Sequence, residues 1–372
     1  MNILITVNAA WNVWHFRRPL VEALLADGHG VTVLAPPDDS VAALEAAGCR
    51  FLPLEMSVKG LNPLADLGLM RRFQAIFRRE RPDAVLGFTI KNNIFGAIAA
   101  RRAGVAFLPN VTGLGTAFLS GGMLKLVAEG LYRRAFAGLP VVFFQNEDDR
   151  ALFLDRGLVA PGQDRVLPGS GINLDHFRPM PGGTGAQEAA PVFLMIARLL
   201  RDKGVLEYVE AARRIRAERP EARFQLIGAA GADNRTAIGP ADVAAWQRAG
   251  VIDYLGTQED VRPFLRAASC VVLPSYREGA PRTLIEASAM GRPVIATDVP
   301  GCRAVVEDGV TGLFCAPRDA ESLAAAMRRF LALPRAAQEG MGQAARAKME
   351  REFDEAIVVA AYRQALAGLP GR

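Results

Sequence analysis

Apolar residues along this chain fall into short runs, separated by longer stretches in which they recur every three or four positions. Residues 2–7 (NILITV), 30–36 (GVTVLAP), 83–89 (DAVLGFT), 105–111 (VAFLPNV) and 140–145 (PVVFFQ) have the length and composition of strands buried on both faces. A further strand is expected at 49–56. Residues 16–29, 39–48, 69–82, 93–104 and 122–136 carry helical spacing, and the first of these has Pro19 in its opening turn and Gly28 near its end. Strand and helix alternate throughout, as in the βαβ units of a doubly wound parallel sheet.

The alternation breaks once, at residues 176–190 (HFRPMPGGTGAQEAA), a stretch rich in Pro, Gly and Ala that reads as a linker. A second series follows. Its strands are expected at 191–197, 223–228, 251–256, 270–275, 293–298 and 312–316. Its helices are expected at 204–220, 261–268, 282–290, 302–309 and 320–333, with a long helical region over 344–368. The expectation is an α/β chain of two Rossmann-like domains facing a central cleft. Residues 1–175 form the first and 176–353 the second, and the helix 354–372 packs back on the first. Ligands of such sheets bind beyond the carboxyl ends of the strands.

Composition narrows the class. Of 372 residues 51% are hydrophobic and 22% charged, as in packed globular domains, and the apolar runs are far shorter than the ~20 residues of a membrane span. The first residues lack a basic leader and read as a strand, and the four cysteines show no metal or disulfide spacing, so a cytoplasmic protein with reduced thiols is expected. The net charge of +5 is modest, but residues 71–102 hold eight basic side chains against two acidic ones. That run suits an anionic surface such as lipid head groups, and equally a solvated helix face. No zinc-finger spacing or aromatic RNA-binding strand accompanies it, so nucleic acid is not an expected partner.

Several nucleotide chemistries are disfavoured by what the sequence lacks. There is no GxGxxG after a strand, no GxxxxGK[ST] loop and no Asp-x-Asp triplet, and His15, His29 and His176 are scattered. What remains is basic residues and glutamates at strand ends of the second half. Arg198 follows one expected strand and Lys203 precedes the next helix, a pairing that can hold a diphosphate without metal. Glu278 lies on the loop after the strand 270–275, and Glu286 lies in the first turns of the following helix. Backbone amides of Arg282, Thr283 and Leu284 sit between them. Each carboxylate can accept hydrogen bonds from two hydroxyls, so Glu286 suits a ribose and Glu278 a sugar beyond the phosphates. Taken singly, either glutamate would be explained by an ordinary helix face or by the helix dipole.

These residues carry a resemblance. The segments ARLLRDKG (197–204), EGAPRTLIE (278–286, an E-x7-E motif), LPGSGINLDHFRP (167–179) and YLGTQEDVRPFL (254–265) are similar to those of retaining glycosyltransferases of family 4, which have the GT-B fold. HFRRPL, IKNNIFG and NVTGLGTAF resemble, more narrowly, bacterial enzymes that extend undecaprenyl-diphosphate-linked sugars, N-acetylgalactosaminyltransferases among them. The resemblance implies a metal-independent, retaining hexosyl- or N-acetylhexosaminyltransferase with a UDP-sugar donor, such as UDP-GalNAc, and a polyprenyl-linked acceptor, working in bacterial polysaccharide assembly. It assigns Arg198, Lys203 and Glu278 to catalysis. Gln258, Arg282, Thr283, Leu284 and Glu286 would bind the donor, with Gln258 at the base. Where many relatives place a histidine facing the donor sugar, this chain offers Thr112.

Acceptor contacts are expected from the first domain: Asn8, His15, Arg17 and Arg18 around the first strand-to-helix junction, Lys91 and Asn92 at another strand end, and Thr112. The basic run 71–102 and the segment 118–134 are candidates for the cytoplasmic face of the inner membrane, making the protein peripheral. Two other readings remain open: a UDP-sugar epimerase of GT-B fold, and a non-catalytic nucleotide-sugar-binding membrane adaptor.

Overall fold

The structure is a computed structural model that describes residues 1–57, 62–114, 122–179, 190–231, 234 and 236–369. The chain divides into two compact units, Met1–Gly171 with Glu355–Arg372, and Ile172–Asp354.

In the first unit the strands are β1 Asn2–Thr6, β2 Gly30–Ala35, β3 Arg50–Pro53, β4 Ala84–Phe88, β5 Ala106–Val111, β6 Val142–Phe144 and β7 Asp164–Val166. They form one sheet in the order β3-β2-β1-β4-β5-β6-β7, with every pairing parallel. All five residues of β4 are buried, as a strand covered on both faces requires. Side chains alternate between faces: Leu4 and Val85 join one core with Phe73, Phe77 and Phe107, while Ile3, Ile5 and Leu86 join another.

The helices of this unit are α1 Ala10–Phe16, α2 Arg18–Ala26, α3 Val41–Ala46, α4 Pro63–Glu80, α5 Ile90–Ala103, α6 Gly122–Phe136 and α7 Glu147–Asp155. The helix expected at 16–29 is thus preceded by a second, short one, and the chain bends between them at Arg17. The helix expected at 69–82 starts earlier. Asn62 caps it, its side chain accepting from the amides of Leu64 and Ala65 at 3.1 and 3.2 Å, with Pro63 in the first helical position.

The second unit holds β8 Val192–Ile196, β9 Arg223–Ile227, β10 Asp253–Tyr254, β11 Cys270–Leu273, β12 Val294–Thr297 and β13 Gly312–Cys315, in the order β10-β9-β8-β11-β12-β13, again all parallel. Its helices are α8 Val205–Glu218, α9 Pro240–Arg248, α10 Arg262–Ala267, α11 Arg282–Ala289, α12 Cys302–Val305, α13 Ala320–Ala332 and α14 Arg335–Glu352. The long region expected at 344–368 is two helices, since a break at Phe353–Asp354 separates α14 from α15 Glu355–Ala367.

The last helix, α15, is part of the first unit. Tyr362 is fully buried there, 4.7 Å from the ring of Phe143, and its hydroxyl accepts from Asn110 Nδ2 at 3.0 Å. Arg363 forms a two-pronged ion pair with Asp27.

Both strand orders reverse direction once, between β1 and β4 in the first sheet and between β8 and β11 in the second. At such a switch point the connecting helices leave on opposite faces, which opens a crevice beyond the strand ends. Arg198, Lys203, Glu278, Arg282, Thr283 and Glu286 lie at the second of these places.

Candidate functional site

In the second unit β8 ends at Ile196, and exposed Arg198 follows it, with no ion pair or side-chain hydrogen bond among the described residues. The chain then makes one 3-10 turn, Arg201–Lys203, before α8. Gly204 closes this turn at φ 74°, and a Cβ there would lie 2.1 Å from the carbonyl oxygen of Pro274. Only glycine lets the turn press against the end of β11. A backbone bond from Tyr276 N–H to Asp202 C=O, 2.9 Å long, fixes the same approach.

This contact brings together two residues 75 positions apart. Lys203 Nζ donates to Glu278 Oε1 at 2.5 Å, with side chains only 22% and 12% exposed. The loop bearing Glu278 is supported from behind by Gly301. At φ 82°, Gly301 packs so closely that a Cβ would lie 2.5 Å from the Glu278 carbonyl oxygen. At the loop's root, Thr297 Oγ1 donates to the Ser275 carbonyl, and Tyr276 donates to Glu207 Oε1 at 2.7 Å beneath the guanidinium of Arg318.

Next in the chain, α11 begins with Pro281 as an N-cap that offers no side-chain hydrogen bond. Thr283 Oγ1 donates to the Ile196 carbonyl at 3.0 Å, tying the start of α11 to the end of β8. The amide of Leu284 donates to the Pro281 carbonyl at 3.0 Å and is therefore engaged within the turn rather than open to a ligand, a correction to the three-amide expectation. One turn on, Glu286 Oε1 accepts from Arg282 Nε at 2.6 Å. Burial pushes the Glu286 carboxyl above its ordinary value, although Arg282 pulls the other way.

Gln258 lies after β10, two strands from β8 and so about 10 Å across the sheet. It is exposed, and its side-chain amide donates to the Leu255 carbonyl at 2.6 Å. Arg198, Lys203, Glu278, Arg282, Thr283 and Glu286 thus gather around the β8–β11 switch point, with Gln258 at its flank. Sequence reasoning missed Tyr276, Glu207, Arg318 and Gly301. Of these only Gly301, in a Pro-Gly pair shortly after a strand, carried a turn signal.

The first unit treats its expected residues differently. Asn8 is half-buried just beyond β1, and Thr112 half-buried just beyond β5. His15 is not at a helix N-terminus. It lies in the last turn of α1, exposed, stacked on Trp11 at 4.4 Å, with Nδ1 2.9 Å from the Trp11 carbonyl oxygen. Arg17 is buried with its guanidinium over the ring of Phe88 at 4.5 Å, and Arg18 is paired with Glu22 over Trp14. Lys91 is closed in an ion pair with Asp66 at 2.9 Å. Asn92 is fully buried, donating to Thr6 Oγ1 at 2.8 Å and accepting from Thr89 Oγ1 at 2.9 Å, so its amide faces the protein and not a ligand. The structure therefore does not present His15, Arg17, Arg18, Lys91 and Asn92 as one open anion-binding set.

Thr89, which the sequence reading passed over, has φ 68° and ψ 154°. That region is essentially restricted to glycine, and a β-branched residue held there stores roughly 1–3 kcal/mol of strain.

The basic run 71–102 is not one free face either. Arg72 pairs with Glu55, Arg79 with Glu80 and Lys91 with Asp66, while Arg101 donates to carbonyls at the end of α6. Of the segment 118–134, residues 118–121 lie outside the described residues. Leu126 and Val127 of α6 are exposed. No described helix is long and apolar enough to cross a membrane.

Two family models match this chain: a glycosyl transferase 4-like domain over residues 13–169 and glycosyl transferases group 1 over residues 190–332. It is similar to the N,N'-diacetylbacillosaminyl-diphospho-undecaprenol alpha-1,3-N-acetylgalactosaminyltransferase of Campylobacter jejuni, with 28% identity over 87% of each chain. It is also similar to the UDP-Gal:alpha-D-GlcNAc-diphosphoundecaprenol alpha-1,3-galactosyltransferase of Escherichia coli, with 27% identity over 78% of this chain and 75% of that one. Among solved structures, sucrose-phosphate synthase from Thermosynechococcus elongatus superposes with a TM-score of 0.81 at 22% identity, covering 99% of this chain and 100% of that one. Anabaena HepE in complex with UDP-glucose gives 0.80 at 18% identity, with the same coverage. The two parallel sheets and these matches place the chain among the GT-B glycosyltransferases of the family 4 and group 1 type.

Proposed function

We propose that this glycosyltransferase moves an N-acetylhexosamine, GalNAc or GlcNAc, from a UDP-sugar to an undecaprenyl-diphosphate-linked sugar, with retention at the anomeric carbon and without a metal ion, in bacterial glycan assembly. One observation carries the reading. An ammonium and a carboxylate, Lys203 and Glu278, meet at the switch point of the second sheet beside a helix start that no side chain caps. Such a place binds a diphosphate with a sugar attached. Support for the acceptor comes from the two relatives above, both named for diphospho-undecaprenol substrates. Support for a UDP donor comes from the second of those names and from the UDP-glucose complex of HepE.

On this reading Arg198 and Lys203 hold the diphosphate, and the ammonium, with three donors, keeps Glu278 while binding a phosphate oxygen. Glu286 accepts from the ribose hydroxyls and Glu278 from hydroxyls of the transferred sugar. The bond from the anomeric carbon to the β-phosphate oxygen breaks while an acceptor hydroxyl adds on the same face. Its proton passes to that phosphate oxygen, and UDP leaves. The positive groups stabilise the charge that develops on the leaving diphosphate.

Association with the cytoplasmic face of the inner membrane belongs to the same proposal. Exposed Leu64 and Leu67 open α4, and exposed Leu126 and Val127 lie in α6, helices that follow strand ends of the first sheet.

A panel of UDP-sugars offered with a synthetic polyprenyl-diphosphate N-acetylhexosamine tests the proposal. The expected product is one α-linked disaccharide by NMR. A β-linked product removes retention, and a 2-epimer of the donor with no transfer replaces the reading by epimerisation.

A further inference from the structure

The second unit has a cavity of about 690 Å³ at the amino-terminal ends of its central strands. It is lined by Val192, which opens β8, by Ser269, just before β11, and by Pro293, just before β12. Lys203 and Glu278 lie beyond the opposite ends of β8 and β11. A five-residue strand spans about 16 Å, so the cavity is separate from the donor residues. Its volume falls within the range of roughly 300–1,000 Å³ usual for small-molecule sites.

The charge balance of the lining is uneven. Arg335 pairs with Glu339 at 2.8 Å, and Arg346 pairs with Glu350 at 2.6 Å, so those two guanidiniums are each neutralised. Arg292 has no such partner among the described residues, and it is only 7% exposed. Its Nη1 donates to the Ala268 carbonyl at 3.3 Å, and its buried Nε meets no acceptor. Burial lowers its affinity for the proton, and no carboxylate among the described residues offsets this. Its position is fixed, because its amide closes the end of α11 on the Ala287 carbonyl at 2.9 Å. Buried charges in proteins are ordinarily paired, and an unpaired one calls for an explanation.

We propose that this cavity is a second ligand site, in which Arg292 binds the phosphate or carboxylate of a small organic anion. A bound oxyanion supplies the acceptors that the guanidinium lacks, in the planar two-pronged geometry that arginine favours. Because α11 carries Glu286 in its second turn and Arg292 lies just past its end, occupancy of the cavity is in direct backbone connection with the proposed donor residues.

The test is the unfolding temperature of the full-length protein, titrated with inorganic phosphate and separately with malonate at constant ionic strength. The wild type is expected to show a saturable rise of roughly 3 °C at ten times Kd with at least one of the two. Which anion gives the larger rise separates phosphate from carboxylate ligands. The rise should persist in Lys203→Ala, which alters only the donor side, and vanish in Arg292→Met, which keeps the apolar stem. No rise with either anion, a rise unchanged by Arg292→Met, or one lost in Lys203→Ala overturns the proposal. If Arg292→Met does not fold, Gln343→Glu decides. This exposed lining residue makes no side-chain hydrogen bond among the described residues, and a negative charge there should weaken anion binding at least threefold. Unchanged affinity in that variant also overturns the proposal.

Discussion

Lys203 Nζ lies 2.5 Å from Glu278 Oε1, so the cation and the carboxylate proposed for different parts of the donor hold each other directly. The pair presets both groups. Removing Lys203 takes away the donor proposed to hold the leaving diphosphate and leaves Glu278, 12% exposed, without its counter-charge. Lys203→Ala should lower kcat about 10²–10³-fold, the usual effect of losing one preorganised donor to a developing oxyanion. Glu278→Gln keeps a hydrogen-bonding side chain and frees the ammonium, so UDP affinity should hold or rise while turnover falls. Initial rates and UDP titrations of both variants check this. Equal losses of UDP affinity and turnover in Glu278→Gln would remove the separation of roles.

Glu286 makes a prediction about pH. Burial raises its carboxyl above 4.5, so between that value and the folded-state value the native protein binds more protons than the unfolded one. Stability therefore falls as pH rises through this window and stays lower above it. Glu286→Gln should abolish that component and leave the unfolding temperature at neutral pH equal to or above the wild type. If Glu286 holds the ribose as proposed, loss of that charge-assisted bond should raise the donor KM roughly 10-fold. A variant less stable than the wild type at neutral pH would contradict the burial argument.

How far the sequence sufficed depends on the kind of element. β4 and β11 were legible because a strand covered on both faces is continuously apolar. β7, three residues with an aspartate and an arginine at the sheet's edge, has no such signature, and neither α7 nor α9 was anticipated. The positions of Arg198, Lys203 and Glu278 beyond β8 and β11 were legible because a βα turn beyond a parallel strand has one direction to go. On the other side, Lys91 and Asn92 are neighbours in sequence, yet one is paired at the helix surface and the other buried. Successive helical residues point about 100° apart, and composition does not say which of them faces the sheet. The buried amide of Asn92 and the strain at Thr89 belong to one network that only three-dimensional proximity to Thr6 creates.

Gly301 should tolerate no side chain. A Cβ would lie 2.5 Å from the Glu278 carbonyl oxygen and 2.6 Å from that of Gly279, and φ 82° is strained for any L-residue. Both colliding atoms are backbone, so the loop bearing Glu278 must move. Gly301→Ala is expected to cost about 2–5 kcal/mol from strain and overpacking together. Turnover should fall at least 10-fold at temperatures where the variant remains folded. Chemical denaturation and rate measurements on one preparation separate the two effects. Wild-type activity in a folded Gly301→Ala protein would show that the loop position is not limiting.

Tyr276 tests whether the loop is held from below as well as from behind. Its hydroxyl donates to Glu207 Oε1 at 2.7 Å, and the guanidinium of Arg318 lies 4.7 Å from the ring centroid. The other oxygen of Glu207 is buried and accepts from no donor among the described residues, so the tyrosine hydroxyl is what satisfies this carboxylate. Tyr276→Phe keeps the ring under Arg318 and removes only the hydroxyl. The cost should be about 1–3 kcal/mol, because a buried carboxylate is left unsatisfied. Glu207→Gln restores a neutral partner and should recover part of that loss in the double variant. Because Tyr276 stands two residues before Glu278, the single variant should also lower kcat several-fold with little change in donor KM. A drop in stability with kcat unchanged would mean that the tyrosine supports the fold of the loop without positioning the carboxylate.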